Sequence, residues 1–418
     1  MDLSPEKQLL LLCSRTYMSE EVIQKVKDIL RPDLDWDRFI EDSCKHGVAP
    51  LIYLNFRKID SELDVIPNQV LLRLKSAYYS NLRYNTLLFR ELKKILDAFK
   101  SEGIQVIVLK GAALAELIYK NIALRPMSDI DILVKRKDLP TVDRILSQLQ
   151  YSSSSYTPPS SQWHVKGWVE HIPPYVKIDD ITIRVEIHLD IATHYEANIR
   201  AIDSSRAWEN ALPATIAGID NVLVLPLEEL LIRLCLHASK HIYSGREGIL
   251  MWWCDIAEVE KSYRGKIDWE YITRISKEYR IQAPVYHSLN FAREWLDAVI
   301  PENVLRELKP PLLIISVEDF SRAIIEGRQY LQAWVKSQAS FLGTVDGISN
   351  KLRCTFRILF PTKEFMMHRY FLKRPILVYL YYPVRFFTGL RALCQLISGY
   401  TKALYQLFNR RFKRTLLR

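Results

Sequence analysis

Two aspartates in the segment 124–134, Asp129 and Asp131, are the residues with the clearest chemical potential. Ile130, Ile132 and the two residues that follow predict a buried strand of β-branched and aliphatic side chains. Because side chains alternate along a strand, both carboxylates are expected on one face. Two like charges are costly to bury side by side, and a hard cation such as Mg²⁺ would remove that cost. The alternative is a strand whose solvent-exposed face carries both aspartates.

A third carboxylate occurs in the most regular alternation of the chain, residues 181–191. Ile183, Val185 and Ile187 fall on one side, and Glu186 and His188 on the other, which predicts a strand with a core face and a polar face. If this strand neighbours the Asp129/Asp131 strand, Glu186 becomes a third carboxylate at the same site. Otherwise Glu186 belongs to a polar face in solvent.

Lys110 and Gly111 separate a strand-like run, 104–109, from a short helical segment, 112–120. Backbone N–H groups at such a helix start can bind phosphate, and Lys110 adds a fixed positive charge. Arg125, four residues before Asp129, is a second candidate phosphate contact. A glycine after a strand can equally well only form a turn.

Length and composition indicate a globular protein of two or three structural units. The chain has 418 residues, 49% hydrophobic and 25% charged, which is enough for a sizeable core. Its six cysteines show no Cys-X-X-Cys spacing and predict reduced thiols in a cytoplasmic protein. The first residues do not resemble a signal peptide.

Helical periodicity dominates on both sides of the predicted strands. Residues 1–100 predict helices, with a start at Asp35-Trp36, an end at His46-Gly47-Val48 and a long helix over 68–99. A further helix is predicted over 138–149, a loop over 151–170, and helices again after about residue 223, with a second start signal at Asp268-Trp269. The predicted organisation is a helical region 1–100, a core 101–222, a helical domain 223–345 that completes a cleft, and a tail 346–418.

Two histidines four residues apart, His237 and His241, are predicted to share a helix face. This spacing raises a zinc site as an alternative, but Ala238 stands where a metalloprotease would have glutamate. A core pair, or a pair that orients or contacts substrate together with His188, is the favoured interpretation. Asp255, after Trp252-Trp253, is interpreted as a helix cap beside core aromatics.

The positive charge of the protein is concentrated in its tail. Residues 365–418 contain eleven Lys or Arg and no acidic residue, whereas the preceding residues are almost neutral. The apolar run 375–384 is shorter than the roughly twenty residues that a membrane-spanning helix needs. From Phe387 onward, apolar residues keep helical spacing among basic ones, which suits an anionic membrane surface, RNA or an acidic partner. A helix packed on the body, with its basic face in solvent, is the remaining alternative.

Several of these motifs together resemble the uncharacterised nucleotidyltransferase family of bacteria, within the polymerase-beta-like nucleotidyltransferase superfamily. The resemblance covers roughly residues 5–300. It depends on Leu109-Lys110-Gly111, Tyr119, Arg125, the Asp129–Val134 segment and Val185-Glu186-Ile187-His188. Asp35-Trp36, the His46–Pro50 segment, the Leu236–His241 segment and Cys254-Asp255-Ile256 resemble it as well. One departure is Ala112, because members of the superfamily usually have Gly-Ser before the short helix.

The resemblance implies an α+β fold, a small mixed nucleotidyltransferase sheet with flanking helices between helical N- and C-terminal regions. It implies transfer of a nucleoside monophosphate from a nucleoside triphosphate such as ATP to an unknown acceptor, with Mg²⁺ or Mn²⁺. The implied metal ligands and catalytic residues are Asp129, Asp131 and Glu186, with Lys110, Gly111 and Arg125 at the nucleotide. The alternative is a degenerate relative that binds nucleotide or a partner without turnover. The expected location is cytoplasmic, with a membrane-peripheral role open to the tail.

Overall fold

The computed structural model describes residues 3–31, 33–63, 66–153, 172, 174–190, 204–243, 247–310 and 315–327, with short stretches between 348 and 387. The chain divides into two compact units. The first comprises Met1–His194, Ile199–Ser239 and Gly248–Pro310, and contains the sheet with most of the helices. The second comprises Tyr195–Asn198, Lys240–Glu247 and Pro311–Arg418. Most of the predicted loop 151–170 and most of the tail fall outside the described residues. The loop prediction is wrong at its start, because Ser152–Ser153 form a short strand.

Five helices precede the sheet, as the sequence predicted. They are α1 (Pro5–Cys13), α2 (Glu20–Ile29), α3 (Trp36–Lys45), α4 (Ala49–Leu63) and α5 (Asn68–Ser101). The predicted start at Asp35 is confirmed, because its side chain accepts a hydrogen bond from the Arg38 N–H at 3.0 Å. The 34-residue α5 runs for about 50 Å at the helical rise per residue.

Among the described residues, seven strands form one mixed sheet. They are β1 (Val106–Val108), β2 (Ile130–Val134), β3 (Ser152–Ser153), β4 (Tyr175–Ile178), β5 (Thr182–His188), β6 (Leu212–Ile216) and β7 (Ile219–Val224). Their spatial order is β3-β4-β5-β2-β1-β7-β6, with β2 parallel to β5 and antiparallel to β1. Helix α6 (Lys110–Leu117) follows β1, and α7 (Leu139–Gln148) follows β2. This mixed sheet with flanking helices confirms the predicted α+β class.

The hairpin β6–β7 was not anticipated from the sequence. Its turn places Ala217 at φ 53° and Gly218 at φ 73°, the left-handed pair of conformations that a two-residue hairpin turn requires. Strand β7 runs parallel to β1 and extends the sheet on the side away from β2. The central position of β1 and β2 in the sheet is therefore due in part to this hairpin.

Helix α8 (Ser204–Asn210) precedes the hairpin, and further helices follow it. Those that follow are α9 (Leu227–Tyr243), α10 (Met251–Ser262), α11 (Trp269–Glu278), α12 (Gln282–Leu296), α13 (Glu302–Leu308) and α14 (Val317–Ile325). The second predicted start is confirmed, because the Asp268 side chain accepts from the Tyr271 N–H at 2.9 Å. Among the residues described, no helix has the length and apolar character needed to cross a membrane.

The main core lies against one face of the sheet. Apolar side chains of α5, including Leu92 and Phe99, and of α7, including Val142, pack with Ile132 of β2 and Val185 of β5. Strand β5 alternates between buried and more exposed residues up to Ile187, as predicted, whereas all five residues of β2 are buried. Because side chains alternate along both strands, Asp131 and Glu186 face away from the core that contains Ile132 and Val185. The core thus fixes the strands that carry the carboxylates.

Candidate active site

Strands β2 and β5 bring two of the predicted ligands together. They pair in parallel with Asp131 opposite Glu186 and Leu133 opposite His188, so these side chains share one face of the sheet. The condition under which Glu186 would be a third carboxylate at the site is met. The polar face of β5 is not exposed to solvent at the C-terminal end of the strand, because His188 is buried there.

The Asp131 carboxylate is buried among positive charges and donors. Its Oδ1 lies 2.7 Å from Nε2 of His188 and 3.2 Å from Nζ of Lys110. Burial alone would raise the pKa of Asp131, but Lys110, His188 and Arg233 together hold it well below its usual range. Asp131 is therefore ionised at any physiological pH.

The turn from β1 into α6 places Lys110 at this carboxylate. The Leu109 N–H donates to the main-chain oxygen of Asp131 at 3.0 Å, which aligns the turn with β2. Helix α6 begins two residues earlier than predicted, so that Lys110 and Gly111 form its first turn. A Cβ on Gly111 would stand 3.2 Å from both Nη1 of Arg125 and Sδ of Met127. Glycine thus permits the close approach of these side chains.

Asp129 lies immediately before β2, where the negative charges of Asp131 and Glu186 act on its carboxyl group. Its burial and then the charge of Asp131 raise its pKa to about 6, and Glu186 acts in the same direction. Lys110 partly offsets the effect. Asp129 is held at an energetic cost that a bound cation would relieve.

The donor atoms at this end of β2 and β5 are close enough to hold a metal ion. One ligand atom each from Asp131, Glu186 and His188 lies within 4.8 Å of the others, and His188 Nε2 is 3.7 Å from Oε2 of Glu186. The excess of buried carboxylate charge, with Asp129 beside it, fits a divalent cation. The predicted ligand set of Asp129, Asp131 and Glu186 stays a prediction, to which the structure adds His188 as a neighbour.

Arg125 is bound to a carboxylate of another helix. Its Nη2 lies 2.9 Å from Oδ2 of Asp255, and its Nε lies 3.2 Å from Oδ1 of the same residue. The Tyr119 hydroxyl donates to Asp255 Oδ1 at 3.0 Å. The interpretation of Asp255 as a cap is wrong, because it is an interior residue of α10 that is 1% exposed. A contact between Arg125 and a triphosphate stays a prediction.

Two asparagines of α5 hold the loop that leads into β2. Asn81 Nδ2 donates to the main-chain oxygen of Ala123 at 2.6 Å. Asn85 Nδ2 donates to the main-chain oxygens of Ile122 and Arg125, at 2.5 and 2.9 Å. These bonds fix the path of the chain just before the aspartates, since the loop carbonyls are satisfied by a rigid helix.

The other histidines of interest lie on the helical elements. The His46 Nδ1 accepts from the Leu250 N–H at 3.3 Å, and its carbonyl accepts from the Met251 N–H. The predicted helix-end role of His46 is confirmed. His237 of α9 packs edge to face on Trp252, with ring centroids 5.1 Å apart, and His241 follows one turn later. Roles for His237 and His241 at a substrate stay predictions.

Sequence reasoning missed Arg233 of α9. Its Nη2 lies 3.2 Å from Nδ1 of His188, and the residue is 3% exposed. The available signal was its place in the run Leu230-Leu231-Ile232-Arg233-Leu234. A lone charge on an apolar helix indicates a buried charge with a partner elsewhere in the fold.

Comparisons with solved structures find distant similarities. An antibiotic-resistance factor, ANT(2'')-Ia, is 14% identical over 50% of this chain and 98% of its own, with a TM-score of 0.33. A nucleotidyltransferase-like antigen of Paracoccidioides brasiliensis is 14% identical over 55% and 93%, with a TM-score of 0.29. The STING-associated c-di-GMP synthase CdnE of Capnocytophaga granulosa is 9% identical over 73% and 100%, with a TM-score of 0.25.

Comparison with curated proteins finds no match. A family model described as an uncharacterised nucleotidyltransferase matches residues 32–297. This match covers well over half of the chain and includes β1, β2, β5, α9 and α10, the elements that carry the clustered charges. The chain therefore belongs to the uncharacterised nucleotidyltransferase family.

Proposed function

We propose that this protein transfers a nucleoside monophosphate from a nucleoside triphosphate to an acceptor, with a divalent cation at Asp129, Asp131 and Glu186. The observation that carries the proposal is the pairing of Asp131 with Glu186 across β2 and β5, with Lys110 on the same carboxylate. Two carboxylates on adjacent strands beside a helix start are the arrangement that the polymerase-beta-like superfamily would require. The family match supports this assignment.

The residues present suit the chemistry of breaking the bond between the α- and β-phosphates. Mg²⁺ or Mn²⁺, when bound, supplies neutralisation of the phosphate oxygens. Lys110, 3.2 Å from Asp131, would share its charge between that carboxylate and the triphosphate. The N–H groups of the first turn of α6, which includes Gly111, would donate to phosphate oxygens. Glu186, less buried than Asp131, is either a third ligand or the base for the acceptor hydroxyl.

A second function, nucleotide binding without turnover, is favoured by one specific residue. Ala112 occupies the position where a serine hydroxyl would contact phosphate, and it is buried in α6. Lys110, two residues before Ala112, is the candidate substitute for that phosphate contact. In both functions nucleotide binding depends on the carboxylates. The two functions differ because only the enzyme forms a product.

Calorimetry with a non-hydrolysable nucleoside triphosphate analogue, with and without Mg²⁺, tests the site. We expect Mg²⁺-dependent binding by the wild type and its loss in Asp129→Asn/Asp131→Asn. The matched control is Asp97→Asn, an exposed carboxylate of α5 paired with Lys93. No binding of any of the four nucleotides by the wild type would refute the proposal. Transfer of a labelled monophosphate, or release of pyrophosphate, separates the enzyme from the degenerate relative.

We also propose that the basic tail associates with an anionic membrane surface. In the second unit, Ile376, Leu380 and Phe387 are 72%, 67% and 65% exposed, next to a region that is basic and lacks acidic residues. Exposed apolar side chains beside a basic segment fit an anionic lipid surface, into which aliphatic and aromatic side chains both insert. RNA is the less suitable partner, because Ile376 and Leu380 offer no ring on which a base could stack.

Sedimentation with vesicles tests the tail. The full chain should sediment with phosphatidylserine vesicles and not with phosphatidylcholine vesicles, and a truncation after Glu364 should remain in the supernatant. A truncated protein that still sediments with anionic vesicles would rule out a membrane role for the tail. Binding of the full chain to RNA or an acidic protein in place of vesicles would assign the surface to that partner.

A further inference from the structure

The contact between Arg233 and His188 joins α9 to the carboxylate site. Nη2 of Arg233 lies 3.2 Å from Nδ1 of His188, and Nε2 of the same ring lies 2.7 Å from Oδ1 of Asp131. Arg233 and His188 are 3% and 1% exposed, so both contacts are made out of water. His188 is thus held through both ring nitrogens by groups of opposite charge.

These two contacts assign the tautomer of His188. A guanidinium has only donors, so Nδ1 of His188 must accept and carries no proton. In neutral imidazole the other nitrogen is then protonated, and Nε2–H donates to the Asp131 carboxylate, which has only acceptors. The opposite tautomer would set N–H against N–H at Arg233 and a lone pair against a carboxylate at Asp131. Both ends of the ring therefore require the same assignment.

The tautomer determines what His188 can offer a metal ion. By distance alone, Asp131, Glu186 and His188 could form a mixed nitrogen and oxygen site, which suits Zn²⁺. The lone pair of Nε2 is absent while Nδ1 accepts from Arg233, so the nitrogen nearest the carboxylates is a donor and not a ligand. Within the described part of this cluster, the carboxylate oxygens of Asp131 and Glu186 are then the available ligand atoms, and oxygen sets suit Mg²⁺ and Mn²⁺.

We propose that Arg233 is a positioning residue that sets metal selectivity. It fixes His188 as the Nε2–H donor to Asp131, and thereby excludes the imidazole from the coordination sphere. The selectivity part rests on the proposed metal-dependent function, whereas the tautomer assignment does not. Partners of this kind, one contact away from the ligands, typically change metal affinity by about 10- to 100-fold.

The tautomer is tested first, in metal-free full-length protein labelled with ¹⁵N-histidine. We expect the His188 resonances, identified by their loss in His188→Gln, to show a protonated Nε2 and an unprotonated Nδ1. Arg233→Met should produce a mixture of tautomers, and Arg233→Lys, which keeps a donor, should restore the wild-type pattern. A wild type protonated at Nδ1 would overturn the proposal. If Arg233→Met does not fold, Arg233→Gln replaces it, because an amide can donate or accept.

Metal selectivity is tested by binding alone. Mn²⁺ affinity is measured from the paramagnetic resonance of the free ion, and Zn²⁺ affinity by competition with a chromophoric chelator. Arg233→Met should raise the ratio of Zn²⁺ to Mn²⁺ affinity about 10- to 100-fold. The gain should vanish in Arg233→Met/His188→Gln, since it depends on the imidazole. Arg15→Met is the matched control, because Arg15 is also 3% exposed and binds Asp297 instead.

The outcomes separate this inference from the proposed function. An unchanged ratio in Arg233→Met, or a Zn²⁺ gain that persists without His188, overturns the role of Arg233 in selectivity. A wild type that binds neither cation refutes the metal site itself and with it the selectivity, while the ¹⁵N spectra still decide the tautomer. A ratio that rises equally in Arg15→Met would assign the effect to general loss of stability and overturn the proposal.

Discussion

The segment 125–131 contributes residues to two clusters of charge. The two clusters differ in how completely their charges are paired. The latch cluster consists of Tyr119, Arg125 and Asp255, where one carboxylate receives two guanidinium nitrogens and a hydroxyl. The site cluster consists of Lys110, Asp129, Asp131, Glu186 and His188, where three carboxylates share the charge of Lys110 and, beyond His188, that of Arg233.

The difference separates a structural cluster from a functional one. A carboxylate that is fully paired stabilises the fold, whereas an unbalanced set of carboxylates is retained at a cost and is typical of a ligand site. The pKa of Asp129, raised to about 6 by burial and by Asp131, reports that cost directly. Removal of one carboxylate should therefore have opposite effects in the two clusters.

The largest effect is expected in the latch cluster. Asp255→Asn should lower the free energy of unfolding by about 3–5 kcal/mol, because it leaves the Arg125 charge buried without its partner. Urea denaturation measures the loss. Arg125→Met/Asp255→Leu should recover much of it, as apolar pairs of similar volume often replace buried ion pairs. If Asp255→Asn costs no more than Asp97→Asn, the latch cluster is not a stabilising contact.

The opposite sign is expected in the site cluster. Asp129→Asn should raise the free energy of unfolding of the metal-free protein at pH 7 by about 1–3 kcal/mol, since it removes a carboxylate whose charge is disfavoured in the fold. Urea denaturation in the presence of a chelator measures the gain. The same substitution should weaken Mg²⁺-dependent nucleotide binding. A destabilised Asp129→Asn would place Asp129 with the structural carboxylates.

A smaller effect is expected where the two clusters meet. Gly111→Ala should cost about 1 kcal/mol of unfolding free energy, because crowding of Arg125 and Met127 outweighs the higher helix propensity of alanine. The cost should fall in an Arg125→Met background, which a double-mutant cycle would show. Independence from Arg125 would locate the crowding at Met127 alone.

The last prediction is a pH dependence that arises from Asp129 of the site cluster. The folded Asp129 carboxyl takes up its proton near pH 6, and the unfolded one near its ordinary value of 3.8. The folded state therefore binds more protons between these values, and this carboxyl adds stability as the pH falls through that window. The stability difference between Asp129→Asn and wild type should shrink from pH 7 to pH 4.5. A constant difference in chelator-treated protein would contradict the raised pKa.

The sequence was sufficient for the strands and helices whose patterns are local. The alternation of Ile183, Val185 and Ile187 and the start signals at Asp35 and Asp268 predicted elements that the structure contains. The proximity of Glu186 to Asp131 could be stated only as a condition, because strand order depends on contacts between residues 55 positions apart. The hairpin β6–β7 was missed although Ala217-Gly218 is a turn signal, because Pro213 in β6 and Asp220-Asn221 in β7 interrupt the regular alternation expected of a strand.

The partners of charged residues were the least predictable part of the site. Arg125 and Lys110 both precede the aspartates and both looked like phosphate contacts, yet Arg125 pairs with Asp255 and Lys110 with Asp131. Those pairings depend on where α10 and β2 lie in space, which no local pattern encodes. Arg233 gave a signal as a charge in an apolar helix, but its partner His188 could be identified only from the fold.

The two asparagines of α5 that hold the loop before β2 have a consequence for mutational tolerance. Asn81 and Asn85 bind only main-chain oxygens of the residues at 122, 123 and 125. Every amino acid supplies that oxygen, so these contacts place no demand on the side chains of the loop. A saturation scan should find little tolerance at Asn85 and, wherever burial does not decide, wide tolerance at the loop positions it holds. The path of the loop therefore depends on two side chains of α5 as well as on the sequence of the loop itself.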